Sequence, residues 1–244
     1  MLRAFAPVHI VCLLLILASG CIKNEGIALV EWVDVPAGVY RLGSREEGAS
    51  RSPLDVRLSA FCISSMEVSV VLYCRYLNES NVSPQSEHPQ MIWQGGRFTP
   101  CSQREREPVA FVSYGDALGF CEWYGRISGV TVRLPSEDEW EVAARGGVRG
   151  GRYPWGWGNP DGRACYGAEE VCESGMYEPN QLGIYDMAGN LFEWCAASNA
   201  SPEAPARGGS WAEEDARLLR VFHRVMIDKK YNGADMGFRI VREP

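Results

Sequence analysis

The stretch GIYDMAGNLFEW, residues 183–194, constrains the chain most. It is an apolar and aromatic run with a single break. Ile184, Tyr185, Met187, Leu191, Phe192 and Trp194 have the size of core side chains. Gly189 and Asn190 form the break, because both residue types tolerate positive φ and so build a turn. Asn190 and Glu193 stand three apart and carry side-chain oxygens, the donors a hard cation such as calcium takes when a backbone carbonyl or two joins them. The plainer reading is a buried turn in which Asn190 caps backbone groups and Glu193 pairs with an arginine. Two oxygen-bearing residues are a weak metal motif by themselves.

Around this stretch the chain predicts short strands, capped helices and long loops. Residues 30–44, VEWVDVPAGVYRLGS, read as a strand, a turn and a second strand. Residues 56–70 predict a strand that leads to a helix start, with Ser69 as N-cap. Residues 78–96 are polar and Pro-bearing, a surface excursion that includes His88, and an edge hairpin and a charged loop follow. Ser113 with Asp116 has the form of a capping box, and Ala117, Phe120, Cys121 and Tyr124 then fall on one helical face. A second capped helix starts at Ser136. Glu137, Asp138 and Glu139 crowd its first turn, where the helix dipole favours anions, and Gly146 ends it. The loop at 151–167, GRYPWGWGNPDGRACYG, is too rich in Gly and aromatics for regular structure. From Arg207 onward the pattern reads strand, loop, strand.

The first residues read as a targeting segment. Arg3 supplies a thin positive region, and Val8 to Ala18 is apolar but shorter than the about 20 residues a bilayer span needs. LASGC follows, which resembles a bacterial lipobox, although Leu17 sits four residues before the Cys rather than three. The expected organisation is a lipoprotein signal peptide over 1–20, a lipidated Cys21, a tether over 21–29 and one domain over 30–244. That places the chain in a bacterial cell envelope, anchored to a membrane through lipid. Seven cysteines follow Cys21. An exported protein meets oxidants, and Cys165 and Cys172 flank a loop short enough to close with a disulfide. Without a CxxC pair and with three histidines, a zinc site is not expected. The net charge of -7 argues against a nucleic-acid partner.

The motif GIYDMAGNLFEW, followed by RGGSW (207–211) and MGFRIV (236–241), resembles the signature of the formylglycine-generating-enzyme, or sulfatase-modifying-factor, family. PVAFVSYGDALGFCEWYG (108–125) and RLPSEDEWEVAARGG (133–147) match that family in the same order. The resemblance implies an α+β, loop-rich relative of the C-type lectin fold, with a small twisted antiparallel sheet and two to three helices. It strengthens the calcium reading at Asn190, Leu191 and Glu193, where Leu191 contributes a backbone oxygen. Active members oxidise a cysteine of a target sulfatase with oxygen and copper, and a thiolate pair between the GGS and GFR motifs holds the copper, since soft thiolates select Cu(I). Here that segment contains no cysteine, so copper is not expected and the assignment as an enzyme stays open.

Three functions follow from the resemblance. The first is a binding module for a protein, peptide or glycan. Its contact face is residues 212–235, with Arg217, Arg220, His223, Arg224, Tyr231 and Asn232 available for contacts. The alternative is a formylglycine-generating oxidase with a non-standard site. A third, iron-dependent sulfoxide formation, requires a His-rich helical domain that this chain lacks.

Overall fold

The computed structural model describes residues 30–80 and 87–244. The expected signal peptide, lipidated Cys21 and tether lie outside the described residues. The chain begins with β1 (Trp32–Val35), β2 (Gly38–Leu42), β3 (Leu54–Leu58) and β4 (Phe61–Ser64). The expected strand, turn and strand are present, yet β1 and β2 do not pair. β1 runs antiparallel to β4, and β2 to β3. Burial explains the split. Every residue of β4 is buried, so β4 takes an inner place in a sheet, whereas β2 and β3 keep exposed positions and form a separate ribbon.

Helix α1 (Val70–Glu79) starts where Ser69 accepts the Leu72 N–H. The polar stretch after it is not all excursion, because β5 (Met91–Gln94) and β6 (Arg97–Pro100) form a hairpin within and beyond it. α1 packs on this hairpin, and Asn78 clasps Phe98 with two hydrogen bonds to its backbone. α2 (Tyr114–Ser128) carries the Ser113–Asp116 capping box and ends on Gly129 in the left-handed region. After β7 (Val132–Arg133), α3 (Glu137–Arg145) repeats the device with Ser136, Glu139 and a left-handed Gly146. Each such cap stabilises its helix by about 1 kcal/mol.

The remaining strands are β8 (Phe192–Trp194), β9 (Glu203–Arg207), β10 (Val225–Asp228), β11 (Met236–Gly237) and β12 (Val241–Arg242). They complete two four-stranded sheets, ordered β1-β4-β12-β7 and β10-β9-β8-β11. All pairings are antiparallel except β11 with β8. Two expected strands take a different form in the structure. RGGSW is the end of β9 followed by a turn, since Gly208 and Gly209 both have positive φ. MGFRIV is broken into β11 and β12, which lie in different sheets. The architecture is α+β and loop-rich, with three helices and small, mostly antiparallel sheets.

Two large apolar cores lie among these elements, beside a smaller cluster of Tyr153, Ala164, Ala188 and Leu219. One gathers Tyr73 of α1, Phe120 and Trp123 of α2, Trp194 of β8 and Phe238. The other gathers Trp140 of α3, Phe61 and Ile63 of β4, and Ile184, Met187 and Cys195. The apolar arms of the 183–194 stretch thus enter both cores, and the Gly189-Asn190 turn is held between them.

Candidate functional site

The turn forms as its residue types demand, with φ of 79° at Gly189 and 63° at Asn190. Asn190 is fully buried and uses both the oxygen and the nitrogen of its amide. Its Oδ1 accepts the Cys172 N–H at 3.0 Å and its Nδ2 donates to Glu67 at 3.2 Å. Its backbone N–H reaches the Cys165 carbonyl, and its own carbonyl accepts the Trp211 N–H. Cys165 and Cys172 are disulfide-bonded across 6.2 Å between Cα atoms. Asn190 therefore ties the disulfide loop to the RGGSW segment.

Glu193, on β8, is fully buried beside Arg239, which is also fully buried. Its Oε2 accepts from Arg239 Nε at 2.6 Å and from Trp140 Nε1 at 2.7 Å, and its Oε1 accepts from Arg239 Nη2 at 2.7 Å. The expected calcium donors do not fit a cation as they stand. Both Glu193 oxygens and the Asn190 side-chain oxygen are committed to N–H donors. Among the described residues, no group of three or more His, Cys, Asp or Glu side chains is gathered for a metal ion.

Two further carboxyls belong to this network and have no signal in the sequence. Burial pushes the Asp186 carboxyl up to about 6, against the Gly175 N–H it accepts and the nearby Arg239 charge. Burial, and then the charge of Asp186, pushes Glu67 well above the usual carboxylate range. Only the positive φ of Asp186, 55°, marks it as unusual. A backbone angle of that kind is legible in coordinates and not in residue type.

The expected contact face has two parts with different neighbours. Arg217 is exposed and doubly bonded to Asp215, whose carboxyl it holds down to about 2. Arg220 lies 3.6 Å from Glu46, and Arg224 lies 3.2 Å from Glu137 at the start of α3. His223 is half-buried between these arginines in sequence, and burial lowers its pKa, with a further push from the Arg207 charge. Tyr231 and Asn232 are exposed elsewhere on the segment. Tyr231 donates to Asp235 at 2.7 Å. Beside them, the Phe111 N–H donates to the Gly233 carbonyl, Phe111 meets the His88 ring edge-on with 5.5 Å between centroids, and Trp211 Nε1 donates to the Ala234 carbonyl. Phe111 has φ of 60°, a left-handed conformation costly for an aromatic residue. The aromatic end of the face, with Phe111, His88 and Trp211, was not legible as a unit because its residues come from three separate segments.

The thiols lie elsewhere. Cys121 is buried on α2, where burial pushes its thiol up to about 12. Cys195 is fully buried after β8, and burial pushes its thiol well above the ordinary range. They belong to different apolar cores. Cys62 and Cys74 are also buried, and Cys101 is half-buried near the β5–β6 hairpin.

Residues 21–244 match the model of the sulfatase-modifying factor enzyme 1-like domain. The chain is 30% identical over 244 residues to the serine/threonine-protein kinase pkn1 of Chlamydia pneumoniae, covering 88% of this chain and 38% of that protein. It thus spans about two fifths of the length of that relative. It is 26% identical to the formylglycine-generating enzyme of Thermomonospora curvata, covering 87% of this chain and 93% of the enzyme. To the inactive C-alpha-formylglycine-generating enzyme 2 of Bos taurus it is 37% identical over 123 residues, 43% of this chain and 39% of that protein. Among solved structures, Treponema denticola variable protein 1 superposes with a TM-score of 0.73 at 23% identity, over 91% of this chain and 99% of that one. The match across nearly all of the described residues, in a fold of the same kind, means that the chain belongs to the sulfatase-modifying factor enzyme 1-like domain family.

Proposed function

We propose that the chain is a non-oxidase member of this family: an envelope lipoprotein, anchored through Cys21, that binds a protein, peptide or glycan ligand on residues 212–235. The observation that carries this reading is the distribution of thiols. A Cu(I) centre of the formylglycine type requires a thiolate pair at the reactive surface. Residues 208–238 contain no cysteine, and Cys121 and Cys195 are sequestered as neutral thiols in separate cores. The aromatic end of the face supports the binding role. Tyr231, Trp211, Phe111 and His88 offer rigid amphipathic surface, which recognises ligands at low entropic cost.

The test is a peptide conversion assay. The chain is incubated with Cu(I), oxygen and a peptide that carries Cys-x-Pro-x-Arg, and the cysteine is followed by mass. No aldehyde is expected, and turnover would return the chain to the oxidases. Ligand binding, once a ligand is found by screening, is expected to fall on Tyr231→Ala and Asn232→Ala with an unchanged thermal midpoint. Palmitate incorporation is expected in the wild type and absent from Cys21→Ala.

A further inference from the structure

The β2–β3 ribbon stands apart from the sheets, and a cleft of about 660 Å³ opens between it and the loop that follows α3. That volume lies within the roughly 300–1,000 Å³ of small-molecule sites. None of its lining residues comes from 212–235, so it is separate from the proposed contact face. The floor is apolar, with buried Leu42 and Val142 and half-buried Leu182. Gly147 leaves room on the loop side, because a Cβ placed there would meet nothing within 4 Å.

The charges around the cleft do not balance. Arg145 is buried and held by Glu141 at 2.6 Å and by the carbonyls of Gly43 and Gly151. Arg41 pairs with Asp55 at 3.1 Å on the outer rim. Arg149 is exposed on the rim and, among the described residues, makes no ion pair and no side-chain hydrogen bond. A guanidinium in that position offers a planar fork of donors suited to a carboxylate, sulfonate or phosphate oxyanion.

We propose that this cleft binds a small amphiphilic anion, with an apolar body on Leu42, Val142 and Leu182 and an oxyanion at Arg149. The ligand class follows from the pairing of an apolar floor with one uncompensated cation. Asp55, the remaining acid of the lining, is already matched by Arg41.

Two related probes test this on the full chain. 8-Anilinonaphthalene-1-sulfonate carries both features, and N-phenyl-1-naphthylamine has the same aromatic body without the sulfonate. The sulfonate probe is expected to bind saturably, one per chain, with enhanced fluorescence. Arg149→Ala is expected to weaken it about two- to fivefold, the range for losing one exposed ion pair, and Arg149→Glu to weaken it more. The neutral probe is expected to bind both variants within twofold of wild type. The thermal midpoints, expected to stay unchanged, show that the variants are folded. Absence of saturable sulfonate binding overturns the proposal. So does sulfonate binding that ignores Arg149→Glu, or a parallel loss of both probes.

Discussion

Replacing Arg239 with leucine is expected to be among the most damaging single changes in the domain, and more damaging than replacing its partner. Arg239 is fully buried and donates to both oxygens of Glu193, and also to the carbonyls of Ser64, Ser65 and Tyr185. Arg239→Leu strips donors from three carbonyls and leaves Glu193, Glu67 and Asp186 without a cation. Breaking a buried pair in this way costs about 3–5 kcal/mol. For a domain of this size, 1 kcal/mol moves the thermal midpoint by about 2–4 °C, so a drop of roughly 6–20 °C is expected. Glu193→Gln is a different perturbation. The amide oxygen still accepts the Trp140 N–H, and Arg239 keeps its bonds to the three carbonyls. A cost of about 1.5–3 kcal/mol is expected, the range for a hydrogen bond lost to a charged group. Urea unfolding followed by circular dichroism and by tryptophan fluorescence gives both values. The reasoning is refuted if Glu193→Gln costs more than Arg239→Leu, or if Arg239→Leu stays within 1 kcal/mol of wild type.

Other expectations follow from the same region. Asp186 and Glu67 have folded pKa values raised above those of the unfolded chain, so the native state holds their protons more tightly; their contribution is full below the unfolded pKa and is lost as pH rises through about 6 for Asp186. The urea midpoint is therefore expected to decline from about pH 4 to pH 7 through these groups, and a flatter profile is expected for Glu67→Gln, measured across that window. Cys165→Ser opens a short loop and is expected to cost about 2–3 kcal/mol, matched by wild type under reductant. Gly189→Ala asks an L-residue to hold φ of 79° and drives a Cβ into the Cys165 carbonyl, so a loss of roughly 2–4 kcal/mol is expected in the same titration.

What was legible in the sequence was local. Ser69, Ser113 and Ser136 cap helices with their own side chains within three residues, and the left-handed Gly146 stops one, so those elements could be read from spacing. Strand pairing was less legible, because β1 finds its partner residues 26 to 32 positions away and leaves β2 to the ribbon. The acids at the start of α3 lie in its first turn, where the helix dipole favours them. Each also meets an arginine: Glu137 meets Arg207 and Arg224, Asp138 meets Arg51, and Glu139 meets Arg133. Arg207 and Arg51 come from distant segments, and spacing carries no information about them. Spacing points to the oxygens of Glu193, while Arg239, which occupies them, lies 46 residues on.

The placement of β11 and β12 has a consequence for biogenesis. Within seven residues, 236–242, the chain contributes to both four-stranded sheets and supplies Arg239 between them. Neither sheet is complete, and the buried charge network has no cation, until this segment has emerged from the ribosome. Folding during synthesis is thereby deferred, since the closing contacts join residues far apart in sequence and form late.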